Sequence, residues 1–202
     1  MSGKGKKNII KTVIIMIIVA AVLIGGYVFM TMQRGKETER SLENETAKEM
    51  TAVQKIIAEA PYKEYPATPV QVVKYYNEIT KCFYNEKYSD QELTSLSMIS
   101  RTLFDKELKD QQSDVDYLVA LQADIEVFKA SNITIYDSVV SPSTEVEYFN
   151  HNGYECARLY STYTLKSGTV YQSTKEVYIL RKDEDGRWRI LGFDMVKRDG
   201  TQ

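Results

Sequence analysis

Hydrophobic residues follow three different patterns along this 202-residue chain. From Val13 to Met32 they form a run without a charged residue, up to about residue 130 they recur every three or four positions, and after Ala130 they alternate with polar residues. A run of about 20 apolar residues is long enough to cross a bilayer. The other two periods are typical of helices and strands, respectively. The chain is therefore expected to comprise a membrane segment, a helical region and a sheet.

The charges around the apolar run predict its orientation. Residues 1–12 carry four lysines and no acidic residue, and positively charged flanks stay on the cytoplasmic side. We therefore expect a basic cytoplasmic tail at 1–12, a single transmembrane helix at 13–32 and an extracytoplasmic C-terminal part in the cell membrane. A cleaved signal peptide is the alternative, but it needs a shorter apolar region and small residues at the cleavage site. Small residues four apart in the run leave self-association of the helix open.

Residues 33–67 are expected to form a charged stalk and a proline-rich linker. Apolar residues between Met50 and Ile57 recur at helical spacing, so the stalk should contain a short helix. Three prolines between Pro61 and Pro69 mark a linker, because proline at that density breaks a helix. The folded domain is therefore expected at 68–196, with 197–202 as a tail.

Capping signals predict three helices in the domain. Thr68 with Gln71 and Ser89 with Glu92 each match the capping box, and Ser113 or Asp114 opens a third helix. The apolar positions that follow on one face of each helix are Val72, Tyr76, Ile79 and Phe83; Leu93, Leu96, Leu103 and Phe104; and Tyr117, Leu118, Leu121, Ile125 and Phe128.

Alternation predicts an antiparallel sheet of four to five strands after the helices. The turn signals include Asn152-Gly153, which is typical of a tight hairpin. Hairpin-linked strands are antiparallel, and helices followed by such a sheet define the α+β class. The expected strands are Ile133–Val140, Val146–Phe149, Tyr154–Leu165, Val170–Lys182 and Arg187–Val196.

This order of elements, with the closing segment Gly186–Phe193, resembles the nuclear transport factor 2-like superfamily from Thr68 to about Val196. The resemblance implies three helices on a curved antiparallel sheet that together form a cone. The segments VVKYYNEITKCFYNE, STEVEYF and ECARLY also resemble a family of membrane-anchored proteins of unknown function from Gram-positive anaerobic bacteria. That second resemblance implies a bacterial cell-surface setting and brings no activity with it.

Composition and motifs exclude several kinds of chemistry. The net charge of −2 leaves −6 after the four N-terminal lysines are subtracted, which does not suit nucleic-acid binding. Neither a metal-ligand spacing nor a phosphate-binding loop occurs, so we expect no metal and no cofactor. The single histidine, His151, falls in a predicted turn, where catalysis is not expected. Cys82 and Cys156 could form one disulfide outside the cytoplasm, but their apolar surroundings and the anaerobic family favour free thiols.

Four residues are candidates for a ligand pocket. Superfamily enzymes that resemble ketosteroid isomerase use a carboxyl group and a tyrosine inside the cone, which by resemblance points to Tyr76, Tyr163 and Glu176 in this chain. Glu176 is the preferred acid because the apolar residues Val177 and Ile179 follow it, and Trp188 is a large side chain on a strand that should face the first helix. Tyrosine on strands also reflects packing, and we expect most of the large side chains to fill the interior. The leading hypothesis is therefore a non-enzymatic binding or scaffold module with a protein partner at the cell surface. The alternative is a small-ligand receptor or an enzyme that uses the interior of the cone.

Overall fold

The computed structural model describes residues 50–60 and 63–197 of the chain. Three predicted segments lie outside these residues: the cytoplasmic tail at 1–12, the transmembrane helix at 13–32 and most of the stalk. Residues 198–202 lie outside them as well. Among the described helices, none is both long enough and apolar enough to cross a bilayer.

The described residues form helices first and a sheet afterwards, which confirms the α+β class. The helices are α1 (Ala52–Glu59), α2 (Pro69–Asn85), α3 (Asp90–Thr102), α4 (Lys106–Lys109) and α5 (Asp114–Ala130). The strands are β1 (Ile133–Val140), β2 (Glu147–His151), β3 (Tyr154–Ser167), β4 (Val170–Lys182) and β5 (Trp188–Met195), with a 3-10 turn at Ser143–Glu145 between β1 and β2.

The capping signals account for where the three long helices begin. At α2 the Thr68 hydroxyl accepts a hydrogen bond from the Gln71 N–H, and the Gln71 side chain accepts from the Thr68 N–H, both at 3.2 Å. Ser89 and Glu92 form the same box at α3, and Ser113 caps α5. These reciprocal bonds satisfy N–H groups that have no partner within the helix. The observed helix α3 is shorter than the apolar pattern predicts: it ends at Thr102, and Leu103 and Phe104 lie beyond its end.

The sheet is antiparallel throughout, with strand order β1-β3-β4-β5. The long strand β3 pairs with β4 along one edge, and with β1 and β2 along the other. The Asn152-Gly153 hairpin is present: both residues have positive φ, +52° and +84°, as a two-residue turn of this kind requires. His151 lies just before the turn and pairs with Tyr154 as the last residue of β2.

The hydrophobic core lies between the helices and one face of the sheet. Apolar side chains of the helices and of the inward face of the sheet are fully buried, among them Val72, Ile79, Leu96, Leu159, Leu180 and Ile190. Burying a Val, Leu or Ile side chain contributes about 1.5–3 kcal/mol each. This burial holds the helices against the sheet and fixes which strand residues face inward.

The short helix of the stalk also packs on this core. Val53 in α1 has no exposed surface and belongs to the same hydrophobic cluster as α2, α3 and the sheet. Gln54 Nε2 donates to Glu92 Oε1 at 3.1 Å, which ties α1 to the start of α3. The sequence places the start of the domain at Thr68, but the packed unit includes α1 as well.

Each long edge of the sheet is hydrogen-bonded at one residue by another part of the chain. Beside β5, the segment from Leu103 to Asp105 exchanges backbone hydrogen bonds with Ile190, at 2.8 Å in both directions. Beside β1, the side-chain amide of Asn85 donates to the Ile135 carbonyl and accepts from its N–H, each at 2.8 Å. The backbone groups at these two points are therefore already paired.

Candidate functional site

A small pocket lies between the helices and the inward face of the sheet. Its volume is about 80 Å³, and its walls come from α2, α5 and strands β1, β3, β4 and β5. Sites for ordinary small-molecule ligands occupy about 300–1,000 Å³, so most of this interior is filled by side chains. A water molecule takes about 30 Å³ of liquid volume, which leaves room for about three groups of that size.

Aromatic rings form much of the pocket wall. The Tyr84 and Phe128 rings have centroids 4.3 Å apart, and the Phe193 ring stacks on Tyr178 at 5.5 Å. The Tyr76 ring lies 5.8 Å from Phe193. These rings come from α2, α5, β4 and β5, so both helices and two of the strands contribute aromatic rings to the pocket.

Glu176 is the one acidic residue in the pocket wall. It begins a buried chain of hydrogen bonds. The Tyr178 hydroxyl donates to Glu176 Oε2 at 2.7 Å, and the Tyr163 and Tyr178 hydroxyls are 3.0 Å apart. Tyr163 donates to Asn77 Oδ1 at 2.5 Å, and the Asn77 amide donates to Ser161 at 2.8 Å. The chain thus joins α2, β3 and β4 through polar groups inside the core.

With the Asn77 amide oxygen directed at Tyr163, the number of protons in this series of hydrogen bonds favours a neutral Glu176. A phenol has one proton to donate. When Glu176 is ionised, Tyr178 donates to it and Tyr163 donates to Asn77, so no proton remains for the contact between the two tyrosines. When Glu176 is protonated, it donates to Tyr178, Tyr178 to Tyr163 and Tyr163 to Asn77. Every contact then has its own proton.

Burial acts on Glu176 in the same direction. Removal from water raises the pKa of Glu176 to about 7, with a smaller contribution from the charge of Asp194, while the Tyr178 hydrogen bond acts to lower it. Burial also raises the pKa of Tyr163 and Tyr178 well above that of a free phenol. The tyrosines therefore remain neutral donors at pH 7, and Glu176 is the group that titrates.

A second acidic residue lies close to the pocket wall. Asp124 of α5 is buried, and its Oδ1 has no hydrogen-bond partner among the described residues. Burial raises the pKa of Asp124 to about 6. Burial raises the pKa of Tyr84 and of Tyr117, both of which line the pocket, and the negative charge of Asp124 adds to each shift. Asp124 therefore lies within electrostatic reach of the same cavity as Glu176.

The structure brings three of the four candidate residues together. Tyr76, Tyr163 and Glu176 all line the pocket. Trp188 lies elsewhere in the core: its ring is 5.8 Å from that of Tyr148, and its carbonyl accepts from the Tyr65 hydroxyl at 2.7 Å.

Two buried polar residues at or near the pocket, Asn77 and Asp124, were not predicted from the sequence. Asn77 occupies a buried position of α2, and Asp124 a buried position of α5. A polar residue on an otherwise apolar helix face was the available signal for both.

The two cysteines are free thiols and both are buried. Burial raises the pKa of Cys82 to about 11, so this thiol is protonated at neutral pH and is a poor nucleophile. Across the described ranges, no cluster of three His, Cys, Asp or Glu side chains could hold a metal ion.

A larger hollow of about 420 Å³ lies between residues 63–67 and α2. It is open to solvent and is lined by both lysines and glutamates, with Lys63 stacked over the Tyr75 ring at 3.9 Å. Charges of both signs that face water are typical of a solvated groove, and the hollow has no buried polar group comparable to Glu176.

Fold and site together define an α+β domain with a nearly filled core and one small acidic, aromatic pocket. The chain belongs to the family described as "Domain of unknown function (DUF6715)", whose model matches residues 1–193. No curated protein matches the sequence significantly.

Proposed function

We propose that this protein is a non-enzymatic binding module that an N-terminal anchor displays outside the cytoplasm. We further propose that the domain is a nuclear transport factor 2-like cone, which the helix-then-sheet order supports. One observation carries the binding proposal: apolar and aromatic residues lie on the sheet face opposite the core, while the interior encloses only about 80 Å³. A filled interior favours recognition at the surface.

The outer face of the sheet is defined by alternation against the buried positions. Tyr171 pairs with Lys166 and Val177 pairs with Tyr160 on this side. Tyr136 is 62% exposed and Tyr171 is 52% exposed, which is unusual for large side chains that lie next to each other. The outer face comprises Tyr136, Val139, Tyr160, Lys166, Tyr171, Lys175, Val177 and Ile179.

Cations lie over the rings of the outer face. Lys175 Nζ is 4.3 Å from the centroid of Tyr160, and Lys166 Nζ lies 5.7 Å from Tyr171 and 5.9 Å from Tyr136. Rigid aromatic side chains contribute most of the energy at many protein interfaces, with charged groups at the rim. The outer face has both features, and a protein partner is the occupant that suits them.

The outer face is tested by replacing Tyr136 and Tyr171 together with serine. The complex is recovered by crosslinking in native membranes and purification of the full chain. We expect the double variant to yield at least tenfold less complex than the wild type, because two central aromatic contacts are removed. The matched control replaces Val115 and Val119 of α5, which are 71% and 59% exposed, with serine. Retention of the complex by the tyrosine variant, or its equal loss in the control, would exclude the outer face as the docking surface.

The orientation of the chain has its own test. With lysines before an uncharged apolar run, the C-terminal domain is expected to face outward. Protease added to intact protoplasts should digest the domain without lysis. Protection of the domain until the cells are lysed would show that it faces the cytoplasm and would overturn the display proposal.

A small-ligand receptor or an enzyme is the second candidate function. The observation in its favour is Glu176, a partly buried acid hydrogen-bonded to Tyr178 at the wall of a defined pocket. Acids whose pKa is raised by burial in a cleft are enriched at functional sites. The small volume restricts this candidate to a very compact ligand or to the end group of a larger one.

A further inference from the structure

We propose that the pocket binds a small organic cation, an alkylammonium group of about three non-hydrogen atoms, with Glu176 as its counter-ion. This inference deepens the receptor candidate and does not depend on the outer face of the sheet. It rests on three observations: Glu176 and Asp124 have no cation in the described ion pairs, aromatic rings form the pocket walls, and the cavity is small.

The first step is the missing positive charge. Two other acids that are shielded from solvent have cations: Asp105 pairs with Arg181 at 2.5 Å and Asp183 with Arg189 at 2.8 Å. Neither Glu176 nor Asp124 takes part in a described ion pair. Buried carboxyl groups without a cation are rare, because desolvation of the charge is costly. Such a carboxyl group is either protonated or can bind a cationic ligand.

The second step is the nature of the walls. The rings of Tyr76, Tyr84, Tyr117, Phe128 and Phe193 all border the pocket. Cations bind the faces of aromatic rings, and this attraction is strongest where water is excluded. A neutral apolar ligand would leave the Glu176 carboxyl without a counter-ion, whereas an ammonium group can donate to Glu176 and lie against the rings.

The third step is Asp124, which adds a second negative charge on the α5 side of the pocket. Its Oδ1 is buried and has no partner in the described residues. Because the charge of Asp124 reaches Tyr84 and Tyr117 in the wall, it would stabilise a cation held between α5 and the sheet. With Glu176 in the wall and Asp124 within electrostatic reach of it, the pocket is selective for positive charge.

The size sets the ligand class. A space of about 80 Å³ accepts about three water-sized groups, which matches ethylammonium or dimethylammonium, or an alkylammonium end group of a longer molecule. Ligands this small bind in the millimolar range at best, since the gain per atom is limited.

Cation and proton compete for Glu176 in this arrangement. The titratable groups around it are Tyr178 on its own strand, Tyr163 on β3, Tyr76 and Tyr84 on α2, Tyr117 on α5 and Asp194 on β5. Asp124 of α5 lies within electrostatic reach of Tyr84 and Tyr117. The tyrosines stay neutral, so the acids decide the charge of the site. With half-ionisation of Glu176 near pH 7, affinity should be about tenfold higher at pH 8 than at pH 6.

The experiment titrates the full chain in detergent with ethylammonium chloride and follows binding by saturation-transfer NMR. Ethanol serves as the uncharged ligand of the same size, and potassium as the inorganic cation. We expect ethylammonium to bind with the stated pH dependence, ethanol to bind at least tenfold more weakly, and potassium not to compete. Glu176→Gln should weaken binding at least tenfold, and Asp124→Asn should weaken it to a smaller degree.

Glu155→Gln is the matched control, because Glu155 is exposed on β3 and pairs with Lys182; it should bind as the wild type does. Circular dichroism confirms that each variant is folded. Equal binding of ethanol would overturn the cation site and leave a neutral-ligand receptor, and competition by potassium at equal concentration would mean an inorganic-cation site. Absence of ethylammonium binding, or binding unchanged in Glu176→Gln, would exclude the proposal altogether.

Discussion

Replacing Asp105 by alanine is expected to lower the free energy of unfolding by about 3–5 kcal/mol. Asp105 is 4% exposed and accepts hydrogen bonds from two guanidinium nitrogens of Arg181, Nε at 3.0 Å and Nη2 at 2.5 Å. It also caps α4 by accepting from the Glu107 N–H at 2.8 Å. Its removal leaves Arg181, whose side chain is only 16% exposed, with the solvent-exposed Glu107 as its carboxylate partner. Loss of the buried partner of this arginine is the main cost.

Urea unfolding measures this effect through the fluorescence of Trp188, the only tryptophan in the chain. The control is Glu107→Ala, which removes the outer partner of the same arginine. The Glu107 side chain is 67% exposed, so water screens the pair and a loss below about 1 kcal/mol is expected. If the two variants lost the same stability, burial would not distinguish the two carboxylates and the argument would fail.

The second large effect is a gain of stability in Glu176→Gln that grows as the pH rises. Burial raises the folded-state pKa of Glu176 to about 7, compared with about 4.3 for an unfolded chain. Between these values the folded state binds more protons than the unfolded state, so wild-type stability falls as the pH rises through this window and levels off above it. Glutamine does not titrate, and its amide can still donate to Tyr178.

The advantage of the glutamine variant should therefore be small near pH 4.5 and reach about 1–3 kcal/mol at pH 8. The lower values apply because Glu176 keeps some exposed surface at the pocket wall, where water reduces the cost of its charge. Unfolding curves of both proteins from pH 4.5 to pH 8 provide the comparison. Glu155→Gln, on the exposed side of β3, should show no such gain. An advantage of Glu176→Gln that did not change with pH would mean that Glu176 is ionised in the folded protein throughout.

Local signals were sufficient for most of the secondary structure. Capping boxes at Thr68 and Ser89 define helix starts through bonds within four residues, and Asn152-Gly153 defines a turn through its own backbone geometry. Such signals depend on neighbours in the sequence, so they can be recognised without knowing the fold. The short helix α4 was not predicted, because four residues contain no periodicity.

The pocket could be predicted only in part, because it depends on which strand face is turned inward. Glu176 was predicted to be the pocket acid because Val177 and Ile179 follow it, yet those two residues lie on the outer face. Glu176 shares the inward face with Tyr178 and Leu180. Both faces of β4 carry apolar residues in its centre, so alternation alone does not identify the buried side.

The contribution of α1 was hidden for a different reason. The prolines after residue 60 interrupt the helix pattern, and an interruption in sequence says nothing about contact in space. Val53 reaches the core because the chain folds back, which only the tertiary structure shows.

The occupied edges of the sheet restrict how this domain can be recognised. An open strand edge accepts almost any extended peptide, since the bonds are made by backbone groups that every sequence has. Here Asn85 and the Leu103–Asp105 segment already bond to the backbone at the two long edges, and β2 offers only five residues. At these two points a partner cannot extend the sheet, which favours recognition through side chains. Association by this domain should depend on amino-acid identity, and single surface substitutions should be able to abolish it. The same edge protection should keep copies of the domain from joining into fibrils when they are crowded together.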